Sequence, residues 1–269
     1  MATSLKRAGG NGSRRVAKSA QALYLYGFSE SKSGKQSSEL KVSAVGVDGQ
    51  SKVEAVECAG VLAWISEVDA REFAANLASK MEDLEWLSDA SVRHQRAVAA
   101  IAEKMELLPA RFGTVFLGTE SLEADIRSRQ EQLKTAFARI ADADEWGVKV
   151  FMTPSNAAPG QRAASGQDYL RVKAKAIEAR MRPAADQEIQ ELDKQLRKIA
   201  RASAVTGKVS GGLKGLQWQA TFLVPRSRRK QLDATLKKFA ARWDKSRRIE
   251  CTGPWPPYSF VGDDRESGR

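Results

Sequence analysis

Nine consecutive residues, Thr252-Gly253-Pro254-Trp255-Pro256-Pro257-Tyr258-Ser259-Phe260, hold three prolines and three aromatic side chains. Each proline lacks an N–H, fixes its own φ and pushes its predecessor toward extended geometry. Neither a helix nor a central strand accommodates such a run. It is expected to form a stiff, extended ribbon that loses little entropy on docking. Trp255, Tyr258 and Phe260 are too apolar to stand together in water. The ribbon is therefore expected to seal the protein's own core, with docking on a partner as the functional alternative.

The remaining 260 residues are enough for one large domain or two modest ones. Hydrophobic residues at 42% and charged residues at 29% exclude wholesale disorder. No apolar run approaches the roughly 18 residues of a membrane-spanning helix, and the first residues lack the apolar centre of a secretory signal. The expected location is the cytosol, with no membrane partner. Cys58 and Cys251 are far apart in apolar, strand-like contexts, which favours two small buried thiols over a disulfide.

The net charge of +11 is unevenly spread. Lys6, Arg7, Arg14, Arg15 and Lys18 give residues 1–20 a charge of +5 with nothing apolar to bury, the pattern of a disordered basic arm. Residues 201–250 hold thirteen Lys/Arg against Asp233, Asp244 and Glu250. Such a region attracts anionic surfaces, nucleic acid or acidic proteins. A basic nucleic-acid-associated module is thus the alternative function. It is disfavoured because the aromatics alternate into core faces and form no stacking platform.

Hydrophobic spacing predicts strands over residues 22–28, 40–47 and 53–65, with a hairpin at Asp48-Gly49, in one antiparallel sheet. Asp69 followed by Glu72 marks a helix start, and Phe73, Leu77, Met81 and Leu84 recur at helical spacing. A second helix carries Val98, Ile101 and Met105. Pro109 precedes a strand over 112–117 without a central position in it. Thr119 is placed as the cap of a helix bearing Leu122, Ile126, Leu133, Phe137 and Ile140. Then follow a strand over 146–152, a Pro/Gly loop over 153–166, and a long helix over about 168–204 with Ile189, Leu192, Leu196 and Ile199 as its seam. After a glycine-rich turn at 207–215, Leu216, Trp218, Ala220, Phe222 and Val224 form one face of a strand. A helix with Leu232, Leu236, Phe239 and Trp243 and a strand over 249–251 complete a β–α–β–α–β order that fits a ferredoxin-like plait. The fold class is α+β in two domains. Residues 21–117 form an antiparallel sheet with helices, and 118–261 a modified ferredoxin-like plait with a long helix and an extended Pro/aromatic tail. The basic arm at 1–20 and a flexible tail at 262–269 flank them.

Catalytic constellations are missing from the sequence. One histidine, His94, rules out multi-histidine metal sites, and its place in a predicted helix beside Arg93 and Arg96 favours a helix-surface or packing role. There is no Cys-x-x-Cys and no phosphate-binding loop, and Gly211-Gly212-Leu213-Lys214-Gly215 leads into a strand where a dinucleotide loop needs a helix. Carboxylates such as Asp142, Asp144 and Glu145 read as solvated surface. No catalytic, cofactor or metal residue is assigned, and a small-molecule enzyme on a ferredoxin-like fold is the third-ranked reading. Arg111 is the one charge inside an apolar stretch. It is expected to make a buried or interface ion pair, with Glu145 or Glu67, or to grip a partner's carboxylate.

Four stretches in order, Tyr24-Leu25-Tyr26-Gly27, Leu108-Pro109-Ala110-Arg111-Phe112-Gly113-Thr114-Val115-Phe116, Glu145-Trp146-Gly147-Val148-Lys149-Val150 and the C-terminal ribbon, resemble the gas vesicle protein GvpL/GvpF family. The resemblance spans residues 23–261. It implies an accessory or minor structural component of gas vesicles, without enzyme activity or cofactor, whose partners are the shell protein and other accessory vesicle proteins. It also implies the modified plait for the second domain. Arg111, Phe112, Trp146, Trp255, Tyr258 and Phe260 are the candidate partner-binding or domain-junction residues.

Overall fold

The computed structural model describes residues 20–31, 42–153, 183–204, 213–243 and 246–261, with backbone alone for 183–186. The expected basic arm, the loop at 153–166 beyond Thr153, the start of the long helix, most of the glycine-rich turn and the 262–269 tail lie outside them.

The first sheet is built on β1 (Gln21–Glu30), β2 (Glu54–Cys58) and β3 (Val61–Asp69), in the order β2-β3-β1. The far edge of β1 pairs with two short strands, β4 (Leu108–Pro109) and β5 (Val115–Phe116). A bulge between Leu25 and Gly27 shifts the register, so Tyr24 and Tyr26 face one layer while Leu25 and Phe28 share the other. Gly27 is required by close approach: a Cβ there would stand 2.4 Å from the Leu108 carbonyl oxygen. Pro109 lies on the sheet edge, where its missing N–H costs no ladder bond.

Three expectations for residues 40–84 are corrected. The strand expected over 53–65 is a hairpin, because Ala59 and Gly60 both take positive φ (48° and 85°) and turn the chain in two residues. The strand expected over 40–47 is reduced, within 42–47, to a single bridge from Val45 to Lys52. This segment instead tucks Val42, Val47 and Val53 into the core, and the Val47 N–H donates to the Tyr26 hydroxyl (2.8 Å). The Asp48-Gly49 turn does form, with the Asp48 carboxylate accepting from the Gln50 and Ser51 amides. The helix expected through Phe73 and Leu84 is broken. Asp69 accepts from the Arg71 and Glu72 amides, but a π-helical turn (Arg71–Ala75) and the one-turn α1 (Leu77–Lys80) come first. Asp83 then caps a new helix, α2 (Leu84–Ala102), and leaves Leu84 79% exposed.

The Leu122–Ile140 apolar series is buried as its spacing predicts, on two helices, α3 (Thr119–Ser128) and α4 (Gln130–Ile140), separated at Arg129. Thr119 is not the cap; Gly118 holds that position without a side-chain bond. The strand expected over 112–117 is β5 alone, because 111–114 form a turn in which the Thr114 N–H donates to the Arg111 carbonyl.

The second sheet follows the order β6 (Ala143–Met152), α5 (Pro183–Ile199), β7 (Ala202–Ala204), β8 (Leu216–Pro225), α6 (Arg229–Trp243), β9 (Arg247–Trp255). Its strands lie in the order β7-β8-β6-β9, every neighbour antiparallel. The long helix stops at Ile199 and not near Ala204, and β7, unmarked by any alternation, takes the next residues. The Pro/aromatic stretch is not wholly a tail: β9 continues through a cis Gly253–Pro254 bond to Trp255, as the outer strand against β6.

Three cores result. One lies between the first sheet and α2, and one between the second sheet and α5/α6. The third joins Leu25, Phe28 and Ile65 of the first sheet to Leu122, Ile126 and Phe137 of α3/α4, Leu223 of the second sheet, and Phe260. Chain on both sides of position 118 thus contributes to one apolar cluster.

Candidate functional site

Three of the four sequence motifs meet at His94. This residue is not on a helix surface. Ala90, Ala97, Val98 and Ile101 share its face of α2, and it is 1% exposed. Its ring stacks on Tyr26 (5.7 Å between centroids) and meets the edges of Tyr24 and Phe112 (5.7 and 5.6 Å), with Tyr258 at 6.5 Å. Nδ1 lies 3.0 Å from the Tyr24 hydroxyl and Nε2 3.3 Å from that of Tyr258. The Tyr24 oxygen accepts the Gly113 N–H (3.0 Å), which leaves its own proton for His94. Burial pushes the imidazole pKa down to about 4, against the opposing bond to the Ala110 carbonyl. Burial also raises the phenols, Tyr26 to about 12 and Tyr24 and Tyr258 well above the usual range. The cluster is therefore neutral at physiological pH, and its hydrogen bonds join α2 to β1 and to the C-terminal turn.

The opening motif supplies Tyr24 and Tyr26, the central motif Phe112 and Gly113, and the ribbon Tyr258. The third motif acts one residue on: buried Glu145 accepts from the Ser259 N–H and hydroxyl (2.8 and 2.9 Å). Burial raises the Glu145 carboxyl pKa, and the two Ser259 bonds pull it back. The 3₁₀ turn Tyr258–Phe260 thus ties α2 to β6, with Phe260 buried in the shared core.

Beside this turn an open cleft of about 300 Å³ lies between the C-terminal end of α2 and the ribbon. Ala102, Met105, Leu107 and Ile140 line it opposite Pro254, Trp255 and Pro257. The Asp144–Arg226 pair (3.1 Å) and Glu106, which accepts the Asp142 N–H, stand at its margin. Trp255 is 52% exposed there, held between prolines.

Residues 22–262 match the family described as Gas vesicle synthesis protein GvpL/GvpF. The chain belongs to the GvpL/GvpF family. It is 31% identical over 201 residues to gas vesicle protein L of Streptomyces sp. (strain CB03234), covering 70% of this chain and 74% of that protein. It is 24% identical over 240 residues to gas vesicle protein F1 of Halobacterium salinarum, covering 89% and 92%. Two crystal structures share its fold: GvpF from Anabaena sp. PCC7120 (TM-score 0.67, 19% identity, 90% of this chain and 97% of that one) and GvpF from Microcystis aeruginosa (TM-score 0.62, 20% identity, 90% and 99%). A GvpL/GvpF protein takes part in gas vesicle formation.

Of the residues singled out in this GvpL/GvpF chain, Phe112 and Tyr258 come together on His94, and Phe260 is buried nearby in the shared core. Trp146 is apart from them, buried against α6 with the Arg229 guanidinium 3.4 Å from its ring centroid. Of the aromatic side chains among them Trp255 alone is exposed. Arg111 is exposed, not buried, at the start of the 111–114 turn. Cys58 is buried as expected, but Cys251 is exposed on the outer strand β9. His94 and Ser259 were not singled out as functional. Helical spacing from Ala90, Ala97, Val98 and Ile101 was the available signal for His94; nothing local marked Ser259. Among the described residues no group of three or more His, Cys, Asp or Glu side chains is placed to hold a metal ion, and no helix is long and apolar enough to cross a membrane.

Proposed function

We propose that this protein is an assembly factor that holds apolar gas vesicle proteins, the shell protein foremost, in the cleft beside Trp255 during vesicle formation. The carrying observation is the pairing of an exposed tryptophan with an apolar wall. Trp255 is fixed by Pro254 and Pro256, so little entropy is lost when a partner covers it. Apolar shell subunits aggregate unless their faces are occupied before incorporation, and a cleft lined by Ala102, Met105 and Pro254 offers matching surface. The architecture serving it is, in this reading, an N-terminal α+β domain (21–117) and a C-terminal ferredoxin-like plait (118–261). The β6–α5–β7–β8–α6–β9 order with strands arranged β7-β8-β6-β9 supports the second assignment. Other accessory vesicle proteins are the second partner class, the site of action is the cytoplasm and the vesicle, and no catalytic step is assigned. Trp255→Ser tests the reading in cells expressing the whole vesicle gene set. The variant should melt like wild type yet lose co-purification of vesicle proteins and vesicle yield. Unchanged yield and co-purification would remove the cleft from the function.

A further inference from the structure

The outer helices of the second half carry a surface independent of the cleft. α5 and α6 run antiparallel. Arg242, late in α6, pairs with Glu191 and Glu188 early in α5 (2.9 and 3.5 Å), while Arg228, before α6, donates to the Lys198 and Ile199 carbonyls at the end of α5. Residues 187–204 and 213–243 hold twelve Lys/Arg against Glu188, Glu191, Asp193 and Asp233. An arginine already holds each of those carboxylates: Arg247 and Arg242 on Glu188, Arg242 on Glu191, Arg197 on Asp193, Arg229 on Asp233. Arg201 and Arg228 bond backbone carbonyls and Arg226 pairs with Asp144, so the cations left over are lysines. Lys194, Lys198, Lys230, Lys237 and Lys238 are exposed and form no ion pair among the described residues.

Helical geometry collects these lysines on one side. Ile189, Leu192, Leu196 and Ile199 of α5 and Leu232, Leu236, Phe239 and Trp243 of α6 turn inward to the sheet. Lys194 and Lys198 are one turn apart on the opposite face, and Lys230 and Lys237 two turns apart. The first turn of α6 contains no acid, although a helix N-terminus disfavours cations. The asymmetry extends to the halves: residues 118–261 carry 27 Lys/Arg and 16 Asp/Glu, and residues 20–117 carry 10 and 14. The net positive charge thus belongs to the second half of the chain.

We propose that the lysine face of α5 and α6 docks an acidic protein segment rich in Asp and Glu. Charge complementarity selects that occupant. A nucleic-acid surface adds exposed aromatic platforms, whereas Phe239 and Trp243, the aromatics of α6, are buried and the described side chains of α5 include none. The arginine forks that match phosphate geometry are largely engaged with carboxylates or carbonyls. Lysines act as point charges and suit a run of carboxylates without fixed geometry.

The test uses the full chain and a fluorescent twenty-residue peptide alternating Glu and Ser, read by anisotropy at about 50 mM and about 300 mM salt. Wild type binds the peptide and weakens as salt rises. Replacing all five lysines by Gln weakens binding about tenfold or more at low salt, and replacing them by Arg preserves it. Replacing Lys6, Arg7, Arg14, Arg15 and Lys18 by Gln serves as the equal-charge control and changes binding less than about threefold. The proposal is overturned if the five-lysine variant binds like wild type or if the control loses as much. It is also overturned if a single-stranded oligothymidylate of the peptide's charge binds more tightly than the peptide and is lost on the same variant, which would assign the face to nucleic acid.

Discussion

Acid should loosen this protein through one side chain. His94 titrates near 6.5 when unfolded but is held to about 4 by burial among Tyr24, Tyr26, Phe112 and Tyr258. Its folded pKa lies below its unfolded value, so the unfolded chain takes the proton first. The stabilisation is complete above pH 6.5, declines as pH falls, and is exhausted below the folded pKa. Linkage gives a loss of about 2 kcal/mol between pH 7 and 5, and about 3 kcal/mol by pH 4. Since the chain has one histidine, the difference in unfolding free energy between wild type and His94→Gln isolates the effect, with carboxylates titrating in both. Urea titrations from pH 7.5 to 4.5 measure it. The wild-type advantage should shrink along that curve. A difference that stays flat within about 0.5 kcal/mol would refute the claim that His94 is buried neutral.

Two further predictions concern stability alone. Phe260→Ala should cost about 3–5 kcal/mol in chemical denaturation, the loss for a buried aromatic, because it empties a position in the core shared by both sheets; a cost under about 1 kcal/mol would show that the 258–260 turn does not close that core. Ala59→Gly should stabilise by up to about 1 kcal/mol, since relief of the positive φ at Ala59 exceeds the backbone entropy added by glycine, and a lower melting temperature would contradict the turn geometry.

Periodicity made the cores legible. Leu122, Ile126, Leu133, Phe137 and Ile140, and the α5 and α6 seams, are buried as their spacing predicts, because a buried stripe must follow the helical period whatever it packs against. Breaks were less visible. Ala59-Gly60 turns the chain without the Asn-Gly or Asp-Gly signal, and Ala202–Ala204 becomes a strand through its partner β8 and not through its own composition. The junction was legible only in part. Tyr258 and Phe260 announced themselves by apolarity, but the bond from Ser259 to Glu145 joins residues 114 positions apart, and no local rule reaches that far.

The closure at Tyr258–Phe260 also orders the protein's birth. Tyr24, Tyr26 and Phe112 leave the ribosome early, yet the ring that shuts their pocket is made nearly 150 residues after Phe112. At 5–20 residues per second the wait is about 7–30 s. Through that interval α2 already covers Tyr24 and Tyr26, but the side of His94 that Tyr258 closes stands open. The last contact of a histidine made at position 94 is thus completed only when translation is almost over.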